Sequence, residues 1–456
     1  MNHRSLHSHP LVTGTLLLTV TGLLSRIIGF FFRIFLSQSI GAEAMGIYQL
    51  TFPIHVLTIS LTSSAIQTAI SRFVAQAAIS GGQAGVSGGQ AGRQAGTLAG
   101  RRISCNGRCY LAGGLFLSLS LSVFCTVFLY RYSDWIAIRF LEEARCAPLL
   151  RVVAFTVPFG AIHGCFNGYF YGLKKTFAPA FSQLVEQVAR VASVWLFFEI
   201  SMEKHQAISL SLVSWGIVVG EAAAIFFCVS FLPRGRAQGS RFAAIRQIFQ
   251  MSLPLSANRM LVNILQSLEA VMIPGQLRQF GYSASESLSV YGILTGMALP
   301  MVLFPSVLTN SVSVLLLPAV AEAQEKRDRQ YILDAVRKAC FYCILLGLGC
   351  TFIFLILGNW MGRTLFGNTL AGTFIVTLGW ICPFLYLSTT LHSILNGLGK
   401  TTSTFLLNVL GLGVRIGFVL YGIPVAGIKG YLWGILISQG IMAGGALGLI
   451  LRKDVV

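Results

Sequence analysis

Long apolar runs, separated by short polar or glycine-, proline- and arginine-containing stretches, dominate this chain. A helix that crosses the hydrocarbon layer of a bilayer needs about 20 mostly apolar residues. Twelve stretches meet that need: 11–40, 46–77, 110–130, 148–172, 177–200, 207–232, 248–275, 287–319, 339–358, 370–397, 402–423 and 429–451. Several contain a proline (Pro53, Pro158, Pro254, Pro300, Pro305, Pro383), which spanning helices tolerate where neighbours satisfy the freed backbone groups. The pattern predicts an all-α integral membrane protein of about twelve transmembrane helices.

The pattern also repeats. His163-Gly-Cys-Phe-Asn167-Gly168 returns as His392-Ser-Ile-Leu-Asn396-Gly397, and Lys175-Thr176 ahead of Arg190 returns as Lys400-Thr401 ahead of Arg415. Duplication of a six-helix unit accounts for both matches. Six being even, the two copies enter the membrane from the same side. The expected organisation is an N-terminal lobe at 7–232, a basic cytoplasmic linker at 233–247 and a C-terminal lobe at 248–456. Within the first lobe, the tandem GGQAGVS and GGQAGRQ at 81–94 predict a flexible glycine-rich cytoplasmic loop over 80–100.

Composition agrees. Of 456 residues 55% are hydrophobic and 11% charged, with a mean hydropathy of +0.74, whereas soluble domains carry about 25% charged residues. The net charge of +18 is spread over short loops, which argues against nucleic acid as a partner and for its use in topology. With both termini in the cytoplasm, 19 of the 33 Lys and Arg fall on the inner side and 8 on the outer, the bias expected of a multi-pass protein of the cell membrane. The ten cysteines lack zinc-ligand spacing, so neither a metal nor another cofactor is expected. Nor is there a nucleophile triad, a paired-carboxylate site or a metalloprotease motif; the chain does not read as an enzyme.

The remaining six cations lie inside the predicted helices: Arg26, Arg33, Arg72, Arg190, Arg259 and Arg415. Each deep arginine costs about 2.5–3.5 kcal/mol on insertion unless it meets a partner or water. Three acids lie deep in the predicted helices: Glu186, Glu221 and Glu269. Glu186 and Arg190 stand four apart with the acid first, the favoured order for a helical ion pair. The three acids are candidates for ion coupling or structural pairing. The cationic surplus suits an anionic substrate, because guanidinium forks match phosphate oxygens. Arg26 and Arg259 lead the candidates for a pyrophosphate site, with Arg72, Arg415 and Arg33 behind them. His55, His163 and His392 read as hydrogen-bonding residues at helix interfaces.

Ser25-Arg26-Ile27-Ile28-Gly29-Phe30 followed by Arg33, then Met45-Gly46-Ile47-Tyr48, Pro53-Ile54, Ala69-Ile70-Ser71-Arg72-Phe73-Val74-Ala75 and Asn396-Gly397-Leu398-Gly399-Lys400, resemble the multidrug/oligosaccharidyl-lipid/polysaccharide exporter superfamily. Within it, the likeness is nearest to stage V sporulation protein B and related polysaccharide-biosynthesis flippases. The resemblance implies two lobes around a central cationic cavity. It also implies alternating-access translocation of a lipid-linked, pyrophosphate-bearing cell-wall or polysaccharide precursor. The lipid II flippases of the superfamily use cavity arginines, one of which matches Arg26. The implied partners are a polyprenyl-pyrophosphate glycan, membrane lipids and cell-wall synthesis proteins. Two rival readings are a cation-coupled multidrug antiporter and a non-transporting lipid-binding scaffold.

Overall fold

The computed structural model describes residues 10–86, 105–203, 209–233, 235–326 and 328–451. Among these residues every regular element is a helix and none is a strand. The helices are α1 (Pro10–Ile59), α2 (Ala65–Val86), α3 (Gly107–Arg131), α4 (Cys146–Gly172), α5 (Phe177–Glu203), α6 (Ser211–Ser230), α7 (Arg241–Phe280) and α8 (Ala284–Gly292). They continue with α9 (Leu299–Leu303), α10 (Ser306–Glu325), α11 (Arg329–Phe366), α12 (Thr369–Gly379), α13 (Cys382–Gly397), α14 (Thr401–Gly417) and α15 (Ile428–Leu451). The expected apolar stretches fall largely on helices, but the count of twelve spans is not reached. Among the described residues eight helical segments are long and apolar enough to cross a membrane, or nine if the bent pair α12–α13 counts as one span; α5, α7 and α10 are not among them. The chain is a multi-pass membrane protein.

At 1.5 Å per residue, the 50 residues of α1 reach about 75 Å, far beyond one bilayer crossing. Gly41 divides it, at φ 79° and ψ 176°, a backbone region closed to residues with a Cβ. Four short π-helical segments interrupt the apolar helices further, at Ser60–Ser64, Ile136–Phe140, Ile293–Ala298 and Phe418–Gly422. α2 continues over the first part of the glycine-rich repeat, to Val86; the remainder of the expected loop, 87–100, lies outside the described residues.

Two compact units divide the chain: Met1–Gly29 with Ile54–Asn263, and Phe30–Pro53 with Ile264–Val456. In the first, α4 packs on α2 along a stripe of glycines. A methyl group would stand 2.0 Å from Ser63 Oγ at Gly164, 2.5 Å from the Gln67 carbonyl at Gly168 and 2.6 Å from the Ser71 carbonyl at Gly172. Small residues at this spacing let backbones meet where the bilayer offers no hydrophobic drive to join helices. Ile66, Ile70, Val74, Phe166, Phe170 and Ile248 fill the core beside that stripe. The second unit is built around Val320, Ile332, Val336, Leu391, Leu395 and Ile450. All ten cysteines are free thiols, nine of them buried, and serve as small apolar residues.

The segment between α6 and α7 is held to the first unit. Asn106 caps α3 by accepting from the Cys109 amide at 2.9 Å. The same side-chain oxygen accepts from the Gln238 amide at 3.0 Å, and the side-chain amide donates to the Arg236 carbonyl at 3.0 Å. Arg108 adds a hydrogen bond to the Pro233 carbonyl.

Candidate functional site

Three of the arginines singled out by the sequence stand apart. Arg26 on α1, Arg72 on α2 and Arg259 on α7 all belong to the first unit and are exposed. Among the described residues none of the three has an ion-pair or hydrogen-bond partner. A guanidinium that is both unpaired and exposed on a spanning helix is stable only beside water, an anion or headgroups. Ser25, next to Arg26, is buried with no hydrogen-bond partner for its hydroxyl. Arg33 falls in the second unit and is partly buried, where it reaches the Thr295 carbonyl at 3.5 Å.

The other two arginines are neutralised. Glu186 and Arg190, both on α5, form the ion pair that their spacing predicts. Arg415 on α14 donates through Nε to Glu269 Oε1 on α7 at 2.6 Å, and Tyr431 on α15 donates its hydroxyl proton to the same carboxylate oxygen at 2.8 Å. The guanidinium also reaches the Tyr431 oxygen at 3.3 Å. Glu269 is 2% exposed and the Arg415 side chain about a quarter, and the triad ties three helices of the second unit together. Its members had no sequence spacing to link them, because residues 269, 415 and 431 meet only through folding.

The first unit buries a second polar cluster, and here the sequence reading missed a member. His163 on α4 is not merely an interface residue: its Nδ1 lies 2.8 Å from Glu221 Oε2 on α6. Its Nε2 lies 3.1 Å from Ser182 Oγ on α5. Glu186 and Arg190 adjoin the pair. On α1, His55 Nδ1 lies 3.1 Å from Thr156 Oγ1 of α4. The signal that could have found it was the repeated His-x3-Asn-Gly motif together with Glu221, an intramembrane acid with no cation at i±3 or i±4. One ligand atom each from His163, Glu186 and Glu221 lie within 4.8 Å of one another. That spacing admits a cation, but Arg190 already supplies positive charge inside the cluster.

The repeat mates differ. His392, partner of His163 in the duplicated motif, leaves its Nε2 buried and unpaired, as Asn167 leaves its side-chain oxygen.

The profile of the polysaccharide biosynthesis protein family matches residues 11–324. The chain is 26% identical over 429 residues to stage V sporulation protein B of Bacillus subtilis (strain 168), covering 91% of this chain and 79% of that protein. It is 21% identical over 352 residues to sporulation protein YkvU of the same organism, covering 74% and 71%. Among solved structures, the lipid II flippase MurJ in an inward closed conformation superposes with a TM-score of 0.68 at 13% identity, covering 95% of this chain and 87% of that one. An inward-facing multidrug resistance MATE family transporter of the MOP superfamily gives 0.66 at 15% identity, covering 93% of each chain.

Proposed function

The chain belongs to the polysaccharide biosynthesis protein family and has the fold of the MOP-superfamily transporters, and from that premise we propose that it is a flippase for a lipid-linked, pyrophosphate-bearing glycan precursor. The observation that carries this reading is the set of three exposed arginines on helices of the first unit, unpaired among the described residues. Arg26, Arg72 and Arg259 line a cationic cavity that takes the pyrophosphate and sugar from the cytoplasmic side, while the polyprenyl tail stays in lipid. Relative rocking of an N-terminal and a C-terminal six-helix lobe, twelve spans in all, then opens the cavity outward. The protein lies in the cytoplasmic membrane with both termini inside, where it would meet cell-wall synthesis proteins.

Arg415 and Arg33 have smaller parts in this scheme. The guanidinium of Arg415 is committed to Glu269 and Tyr431, so its forks are not available for a phosphate without breaking a buried ion pair. The drug-antiporter reading needs free carboxylates for cationic cargo. Glu186, Glu221 and Glu269 are each engaged with a cationic or ionisable partner, and residues 11–40 contain no acid. A scaffold without transport would leave the insertion cost of the exposed arginines unexplained.

Native mass spectrometry of the purified protein with a polyprenyl-pyrophosphate glycan tests the proposal. Wild type is expected to retain the lipid. Arg26→Ala is expected to bind it tenfold more weakly or worse, since one charge-assisted contact is worth about 1.5–3 kcal/mol. Equal retention by both removes Arg26 from the site. Retention of organic cations, with none of the pyrophosphate lipid, defeats the reading.

A further inference from the structure

We propose that His163 and Glu221 form a one-proton site whose loading and release move α4 against α6, and so make the transport cycle proton-dependent. The inference rests on the transport reading above, but the site itself is argued from hydrogen-bond geometry alone.

Ser182 fixes the first proton. Its hydroxyl donates to the Pro179 carbonyl at 3.0 Å, which can only accept. The Ser182 oxygen is therefore left as an acceptor toward His163 Nε2, and Nε2 carries a hydrogen. The second proton lies between His163 Nδ1 and Glu221 Oε2, 2.8 Å apart. With the Glu221 carboxyl ionised, both ring nitrogens face acceptors, and the ring is an imidazolium held against a carboxylate. Counting Glu186 and Arg190, the cluster then holds two positive and two negative charges.

Removing the Nδ1 proton changes the contact outright. A bare nitrogen lone pair would face carboxylate lone pairs at hydrogen-bonding distance, with an uncompensated negative charge left in the membrane interior. The pair must separate, or take the proton back. Loss of one proton thus converts an attraction between α4 and α6 into a repulsion, the two-state behaviour that a coupled transporter needs. The other groups facing the ring are Glu186 and Arg190 from α5 and the Cys228 thiol from α6. From α1 comes His55, whose Nδ1 is engaged by Thr156. Glu186 is the second acid near the ring, but it is paired with Arg190, and Glu221 alone contacts the ring at hydrogen-bonding distance, so the exchangeable proton is shared with Glu221.

The second unit lacks this device. Its buried carboxylate, Glu269, is matched to a guanidinium, which does not give up its proton, and His392 has no carboxylate within ion-pair reach among the described residues. The proton chemistry is confined to one of the two repeats.

The test has two arms. Solid-state NMR of ring-15N-histidine protein in lipid nanodiscs at neutral pH should show an imidazolium signal that is absent from His163→Gln. In Glu221→Gln that signal should become a neutral ring protonated at Nε2. A neutral His163 ring in wild type overturns the site. In the second arm, proteoliposomes are loaded with the polyprenyl-pyrophosphate glycan and given an imposed pH gradient. One pH unit should change the wild-type flipping rate by up to about tenfold, the ratio of proton activities on the two sides. His163→Gln should flip without that response, and His392→Gln should keep it. A gradient response in His163→Gln equal to wild type overturns the coupling, as does its absence from wild type. If wild type flips no lipid, the transport reading fails, and the NMR arm still decides whether His163 and Glu221 hold the proton.

Discussion

Each unit holds a part-buried arginine at matching positions of the repeated sequence motif, and the two are neutralised in different ways. In the first unit Arg190 is paired along its own helix with Glu186, one turn away. In the second, Arg415 is paired across helices with Glu269, and Tyr431 closes the triangle. The first arrangement leaves α4, α5 and α6 joined through a histidine, whose charge depends on pH. The second joins α7, α14 and α15 around a guanidinium, which stays charged at every physiological pH. The arginine of one unit is thus closed in by a carboxylate and a phenol, and that of the other lies beside a histidine.

Breaking the triad of the second unit should cost most. Glu269→Ala removes a buried carboxylate and strands a part-buried guanidinium, and should lower stability by up to about 3–5 kcal/mol, read as a drop in thermal unfolding temperature in detergent. A compensating Arg415→Met in the same chain should recover much of that loss. A single variant as stable as wild type would show that the triad adds no stability. In the first unit, Glu186→Ala removes a carboxylate that is 18% exposed, against 3% for Glu269, and leaves a guanidinium about as exposed as that of Arg415, 21% against 26%. The expected cost is smaller, about 1–3 kcal/mol.

A finer distinction comes from Tyr431→Phe. It deletes one hydroxyl that serves both Glu269 and Arg415, and should destabilise by roughly 0.5–1.5 kcal/mol without altering the response of flipping to a pH gradient. His392→Ala should have the least effect of the set, under about 1 kcal/mol beyond lost packing, because its Nε2 has no partner to lose. If His392→Ala proved as damaging as the corresponding change at His163, the asymmetry between the halves would fall.

How far the sequence could reach follows from which of these contacts are local. The helices were legible because twenty-residue apolar runs admit few alternatives. The Glu186–Arg190 pair was legible because four residues make one helical turn. The repeat, read from His163 and His392, pointed to equivalent positions but concealed that they differ in chemistry. What decides that difference is Glu221, 58 residues from His163, whose arrival depends on how α6 lies on α4. The Glu269–Arg415 pair was hidden for the same reason, with 146 residues between its members. Pattern reading placed Arg415 among the phosphate ligands, since nothing in its neighbourhood along the chain marks it as already spoken for.

The clasp that Asn106 makes on the segment after α6 bears on how the chain can be handled. A connector gripped at Arg236 and Gln238 by a residue that also caps α3 is a structural member and not slack. Epitope tags, protease sites or a fluorescent protein inserted there would loosen the start of α3 together with the join. A split version made by cutting the gene at this seam would yield a front fragment with a ragged helix end. The cleaner places to open the polypeptide are the turns that no side chain holds.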